Sequence, residues 1–252
     1  PYNIYYPSGK VKESKFFKDG ILDGKLIRFY TNGQKENEAL FKNGEISGYN
    51  IWYHSNGKVR SEGWYEDGTK AQFFSFYNEN GTLTDLEYFI NGEVTGPQLS
   101  YYPNEAIQTS KNYKDGWVRN IYQYDSTGKQ LAYYNTEQGK GEIKFFTHPG
   151  TTQVAYNIDQ YEIKGDYKIY YPDGKLHSTQ QMLFGELHGS YILNYPGGGK
   201  RLEVEYAFDN KSGNWKEYYR DGKLQETEQF KQNERHGERK IYHRDGTLFK
   251  TE

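Results

Sequence analysis

Side chains capable of acid–base, nucleophilic or metal chemistry are scattered along the 252 residues and do not gather in sequence. The six histidines are His54, His148, His177, His188, His236 and His243, and none stands in an H-E-x-x-H or comparable ligand spacing. His188 and His236 hold the same place 48 residues apart, where Asp23, Ser47 and Thr95 also occur, so the position reads as a polar flank of a turn. Glu203 with Glu205, and Glu226 with Glu228, are carboxylates two residues apart. On a strand they would point the same way, as a glycosidase-like pair requires. Solvated strand charge explains them as well. The run Pro196-Gly-Gly-Gly-Lys-Arg201 has the look of a phosphate cradle, but it lacks a strand-to-helix setting. With no cysteine, thiol nucleophiles, disulfides and thiolate zinc sites are excluded. The expectation is a chain with no catalytic residue, no metal and no cofactor, and so not an enzyme.

Composition narrows the class. A net charge of -2 argues against a nucleic-acid partner bound by phosphate neutralisation. Charged residues make up 26% and the hydrophobic fraction is only 34%, a balance that drifts toward disorder. Twenty-seven tyrosines, 14 phenylalanines and 4 tryptophans supply the missing apolar surface, so the chain should fold around aromatic rings. No stretch approaches the ~20 apolar residues of a membrane-spanning helix.

What positions these residues is a repeat. Gly9, Gly33, Gly57 and Gly81 are spaced by 24, Glu105 is next in phase, and the series returns as Gly150, Gly174, Gly198, Gly222 and Gly246. A second series, including Gly24, Gly48, Gly96, Gly165, Gly189, Gly213 and Gly237, precedes the first by nine residues. A third runs Gly20, Gly44, Gly68, Gly92 and Gly116, then Gly185. Many follow Asn or Asp, as in Asn32-Gly33 and Asp19-Gly20, the signature of tight hairpins. Two hairpin signals per unit imply two strands of about seven residues each. No apolar stripe of helical period interrupts them.

Between the turns, aromatic columns repeat with the same period. Tyr5, Phe29, Tyr53, Tyr77 and Tyr101 form one, and Phe17, Phe41, Tyr65, Phe89, Tyr113 and later Phe230 form another. These columns read as the rings that pack, with Phe41 and Phe230 as buried examples. One residue beyond the first column stand Tyr6, Tyr30, Tyr102, Tyr171, Tyr195 and Tyr219. Alternation puts them on the opposite face, and His54, Asn78, Asp125 and His243 at equivalent places suggest that this face meets solvent. Tyr30, Tyr102, Tyr171, Tyr195 and Tyr219 are therefore the expected binding row, suited to an extended peptide, a protein or a glycan.

Units such as Gly213-Asn-Trp-Lys-Glu-Tyr-Tyr-Arg-Asp-Gly222-Lys-Leu resemble the variant MORN repeats of bacterial proteins, often grouped as a YwqK-like antitoxin family. The resemblance covers nearly the whole chain in about ten copies. It implies an all-β, elongated antiparallel meander of two-strand, 24-residue repeats: a single twisted sheet or β-solenoid-like stack. From residue 119 to 164 the phase slips: Gly128 comes one residue early and Thr147-His-Pro-Gly-Thr-Thr152 replaces the usual turn. A bulge, kink or break is expected there, leaving one array, 1–252, with regular repeats in 1–118 and 165–252. The resemblance implies a non-enzymatic scaffold with a protein partner, in an antitoxin-like role. A structural surface or periplasmic protein and a glycan-binding module are the alternatives. The chain opens inside a strand at Pro1, so Pro1 is not expected to be the natural N-terminus; whether a signal peptide precedes it, whether the location is cytoplasmic or exported, and the oligomeric state are open.

Overall fold

The computed structural model describes residues 1–148 and 150–252, with His148 described by its backbone alone. Pro149 and the side chain of His148, in the irregular turn noted above, lie outside the described residues. Regular structure among the described residues is entirely β and antiparallel, in two meanders of consecutive strands. The first sheet runs from Tyr2–Tyr5 to Gln130–Asn135 and the second from Gly141–His148 to Leu248–Thr251. The hydrogen-bonded ladder is thus interrupted inside the stretch where the repeat loses phase. By compactness the chain divides into two units, Pro1–Tyr133 and Tyr134–Glu252.

Two turn types alternate, as the glycine series require. At the first, Tyr30 N–H donates to Gln34 O at 2.8 Å and Gly33 N–H to Tyr30 O at 2.9 Å, with Gly33 at φ 92°. This is a turn closed by a left-handed residue and followed by a bulge, seen in the register shift at Phe29. Glu105 occupies the same left-handed place at φ 65°, with its N–H on Tyr102 O at 2.9 Å. An L side chain is disfavoured there by about 1 kcal/mol. Glu105→Gly should therefore raise stability by roughly that amount, read as an increase in the denaturant midpoint at unchanged slope.

At the second turn two consecutive residues have positive φ, as in Asn43 and Gly44, the form that matches strand twist. Phe184 and Phe208 take the first of these places in the second unit, a less tolerant side chain than Asn or Asp. Each sheet is one layer thick, so few side chains are enclosed. Leu26, Ala39, Ala71, Phe74, Phe89 and Ile121 form the buried apolar set of the first unit, and Ile143, Ala155 and Val204 that of the second. Phe41 and Phe230, expected to be buried, are only half-buried, and Phe17 of the same column is exposed. A single layer encloses a ring only where neighbouring strands offer rings to cover it, and Phe17 lies near the sheet's first strand.

Candidate functional site

The tyrosine row has a different setting from the solvent-facing one expected. Tyr30, Tyr102, Tyr171, Tyr195 and Tyr219 are all half-buried. Each hydroxyl donates to a backbone carbonyl of the next unit: Tyr30 to Tyr53 O at 2.7 Å, Tyr102 to Tyr124 O at 3.0 Å and Tyr171 to Asn194 O at 2.8 Å. Tyr195 reaches Tyr218 O at 2.7 Å and Tyr219 reaches Tyr242 O at 2.8 Å. Tyr6 does the same to Phe29 O, and His54 Nε2 meets Tyr77 O at 2.9 Å. The expected exposure is corrected accordingly: these groups tie each unit to its successor. Asn78 and Asp125, the polar replacements, instead accept the N–H groups of their own turns, from Asn80 and Thr82 and from Thr127 and Lys129. Tyr195→Phe keeps the ring and removes one such bond, which should cost about 1 kcal/mol in equilibrium unfolding.

The candidate chemical groups are spread through the lattice of the sheet. Glu203 accepts the Tyr218 hydroxyl at 3.0 Å and Lys200 Nζ at 3.2 Å. Burial and that carboxylate together push Tyr218 up to about 12. Glu205 accepts the Asn214 N–H at 2.9 Å, while Glu226 and Glu228 both face Arg239. His188 lies against the Phe208 ring at 4.5 Å, His177 against Tyr171 at 4.7 Å and His243 against Phe249 at 4.7 Å. Gly198 and Gly199 form a repeat turn, with Tyr195 N–H on Gly199 O. Among the described residues, no three His, Asp or Glu side chains gather as a metal site would need.

A surplus of exposed aromatic side chains lies elsewhere on the first sheet. Cross-strand partners project to one face of a sheet, so the pairing register sorts every strand residue by face. The residue after the strand glycine, or after Gln72 in its place, pairs with one on the return strand, and in the first unit these pairs are Lys25 with Leu40, Tyr49 with Trp64, Phe73 with Tyr88 and Pro97 with Asn112. At the same repeat positions the second unit has Asp166 with Gln181, Ser190 with Glu205 and Asn214 with Gln229. Apart from Lys25, the first three pairs of the first unit are apolar and aromatic, whereas those of the second are wholly polar.

The polar set is the one that serves the backbone. Gln181 Oε1 accepts the Ser190 N–H at 2.9 Å, as Glu205 does for Asn214, whereas Leu40 and Trp64 have no oxygen to offer. The aromatic set stays in the open: Tyr49 is 58% and Phe73 53% exposed, and Phe16 and Leu40 are exposed beside them. Tyr49 and Trp64 meet edge to face at 4.8 Å, and Phe73 and Tyr88 at 4.7 Å with a tilt of 56°. Ile27, Ile51, Leu86 and Leu99 continue the same face. The first unit thus carries an uncovered aromatic face on strands whose counterparts need none. The signal was present in the sequence as a difference between the two halves.

Comparison with known proteins places the repeats. No curated protein matches the chain in sequence. Among solved structures, a chain of "Crystal Structure of TcdB2-TccC3 without hypervariable C-terminal region" aligns at 14% identity over 95% of this chain and 14% of that one, with a TM-score of 0.21. The present chain spans 14% of that chain's length, and likeness at this level carries no argument. The model of the MORN repeat variant matches residues 1–19, 22–43, 47–67, 164–182, 211–232 and 235–252. These six segments fall in both units, and the chain is a β-repeat protein with segments in each unit similar to the MORN repeat variant.

Proposed function

We propose that the chain is a non-enzymatic repeat scaffold that holds a protein partner on the aromatic face of its first unit. One observation carries this reading: equivalent strands in the second unit form the same pairs with Ser190, Asn214, Gln181 and Glu205, so the fold has no need of Tyr49, Phe73, Leu40 and Trp64. Tyr and Trp are the residues that dominate binding hot spots, because they offer large rigid contact area. Exposing several side by side has a cost in solubility that a covering partner removes. The antitoxin-like role implied by the repeat resemblance is the specific form of this reading, with a toxin as the partner.

The test transplants the second unit's residues onto the first: Leu40→Gln, Tyr49→Ser, Trp64→Glu, Phe73→Asn and Tyr88→Gln together. Circular dichroism should show the β fold retained. Cross-linking mass spectrometry on cells of the source organism should give a defined protein partner with the native chain and lose it with the transplant. For the antitoxin form, growth rescue against that partner should be lost as well. A partner kept by the transplanted chain, or glycan binding with no protein partner, would overturn the reading.

A further inference from the structure

We infer that the depression between Leu40, Tyr49, Ile51 and Trp64 is an anchor pocket for one bulky apolar side chain of a protein partner, with an acidic residue beside that anchor meeting Lys25 and Lys35. The inference rests on the proposed function and adds the subsite and the chemistry of its occupant. The pocket has a volume of 250 Å³ and is rimmed by Lys25 and Glu38. That is below the ~300 Å³ at which sites for whole small molecules begin, and is the scale of a single side chain. Its origin is local. Gly48 sits in the strand at φ 108° beside Leu40, and a Cβ there would stand 3.1 Å from Leu40 Cδ2. The missing Cβ lets the Leu40 side chain lie against the strand beside Tyr49.

Ring geometry favours insertion over stacking. Tyr49 and Trp64 are inclined at 85° to each other, so together they form a notch and not the flat platform on which a sugar face lies. The exposed parts of Phe16, Leu40, Tyr49 and Phe73 amount to ~400 Å², taking about half of ~200 Å² for each. A stable protein contact takes ~800 Å² from each partner, so these side chains are the apolar core of a contact with a polar rim.

Charge completes the occupant. Lys25 Nζ lies 3.1 Å from Glu38 Oε1 and Lys35 Nζ 2.6 Å from Glu38 Oε2. Two cations share one carboxylate, and the cations are the exposed partners, with Lys25 at 59% and Glu38 at 19%. The Lys35 hydrogen bond, outweighing burial and joined by that of Lys25, holds the Glu38 carboxyl below its ordinary value of 4.5. On the Lys25 side of the pocket this cluster carries one net positive charge at neutral pH, which an acidic residue next to the anchor would meet, while Glu62, across Ile51 on the following strand, is the carboxylate of the other side.

A random peptide library displayed on phage and panned on the full chain tests this without a known partner. Enriched peptides should share a Leu, Phe, Met or Trp adjacent to Asp or Glu. Synthetic copies should bind the native chain with an affinity weakened about tenfold or more by Leu40→Gln or Trp64→Gln. Lys25→Gln should weaken them about two- to fivefold, an effect that shrinks at high salt. Because a core-adjacent variant could unfold, the native chain supplies a second readout: the Leu40 methyl signals should shift on adding peptide. Peptides that bind with Leu40 silent and lose affinity only on Phe73→Asn or Tyr88→Gln would overturn the anchor while leaving the broader reading intact. Peptide binding that survives the full transplant, or enrichment with no shared apolar residue, would overturn both; so would glycans as the only ligands.

Discussion

Alanine at position 74 should cost the first unit about 3 to 5 kcal/mol, the range for a large ring removed from an enclosed site. Phe74 is 6% exposed in a sheet where most rings are half-buried. Its ring meets Tyr65 edge-on at 5.3 Å and Phe89 at 5.1 Å, and Lys70 Nζ stands 4.7 Å from its centre and 4.6 Å from that of Phe89. Removing it takes away the ring that Tyr65, Phe89 and Lys70 all contact, on strands that cannot close up because their spacing is fixed by backbone hydrogen bonds. Phe41→Ala and Phe230→Ala remove half-buried rings and should cost distinctly less. In a stacked array each unit touches only its neighbours, so the loss should stay local. Amide hydrogen exchange should show Lys70–Phe89 opening earlier while Leu187–Glu217 keeps its protection. Equal costs at Phe74 and Phe41 would contradict the burial argument.

The contrast between those phenylalanines shows how far the amino-acid sequence could be read. Strand order, turn positions and the interruption near the middle follow from glycine spacing, because a left-handed backbone position selects its residue almost by itself. Which ring is enclosed depends on neighbours on adjacent strands, as Tyr65 and Phe89 are for Phe74, and a column read along the repeat treats Phe17, Phe41 and Phe89 as equals. The tyrosine row was misplaced for a related reason. Tolerance of His and Asn at these places reads as solvent exposure, yet phenylalanine occurs at Phe29 in the packing column and at no position of the row itself. A place that accepts Tyr and His but not Phe is selecting a hydrogen-bond donor, which the carbonyl contacts explain. The aromatic face escaped because a search for what all copies share cannot see what half of them lack. Only the cross-strand register, which pairs Tyr49 with Trp64 and Ser190 with Glu205, makes the comparison residue by residue.

Gly63→Ala should destabilise although Gly63, unlike the strand glycines Gly24, Gly48 and Gly96, does not have a positive φ. At a strand position of negative φ with open space, Gly→Ala is expected to stabilise by roughly 0.5 to 1 kcal/mol, since glycine loses more freedom on folding. Gly63 pairs directly with Phe74 across the strands, and an added Cβ would stand 2.3 Å from both Cδ1 and Cε1 of that ring. No methyl group fits there unless the ring moves, and Tyr65, Phe89 and Lys70 hold it in place. The glycine and the ring form one unit of packing, an aromatic side chain lying over a bare backbone. Gly63→Ala should therefore destabilise by about 1 to 3 kcal/mol, the cost of overpacking, and Gly63→Val by more. A double-mutant cycle separates this clash from any general intolerance of the strand. On a Phe74→Leu background the same Gly63→Ala change should lose most of its cost, giving a coupling of about 1 to 3 kcal/mol between the two positions. Purely additive losses, or a Gly63→Ala chain as stable as the native one, would mean that Phe74 does not rest on Gly63. The enclosed cluster would then have to be redrawn around Phe89 alone.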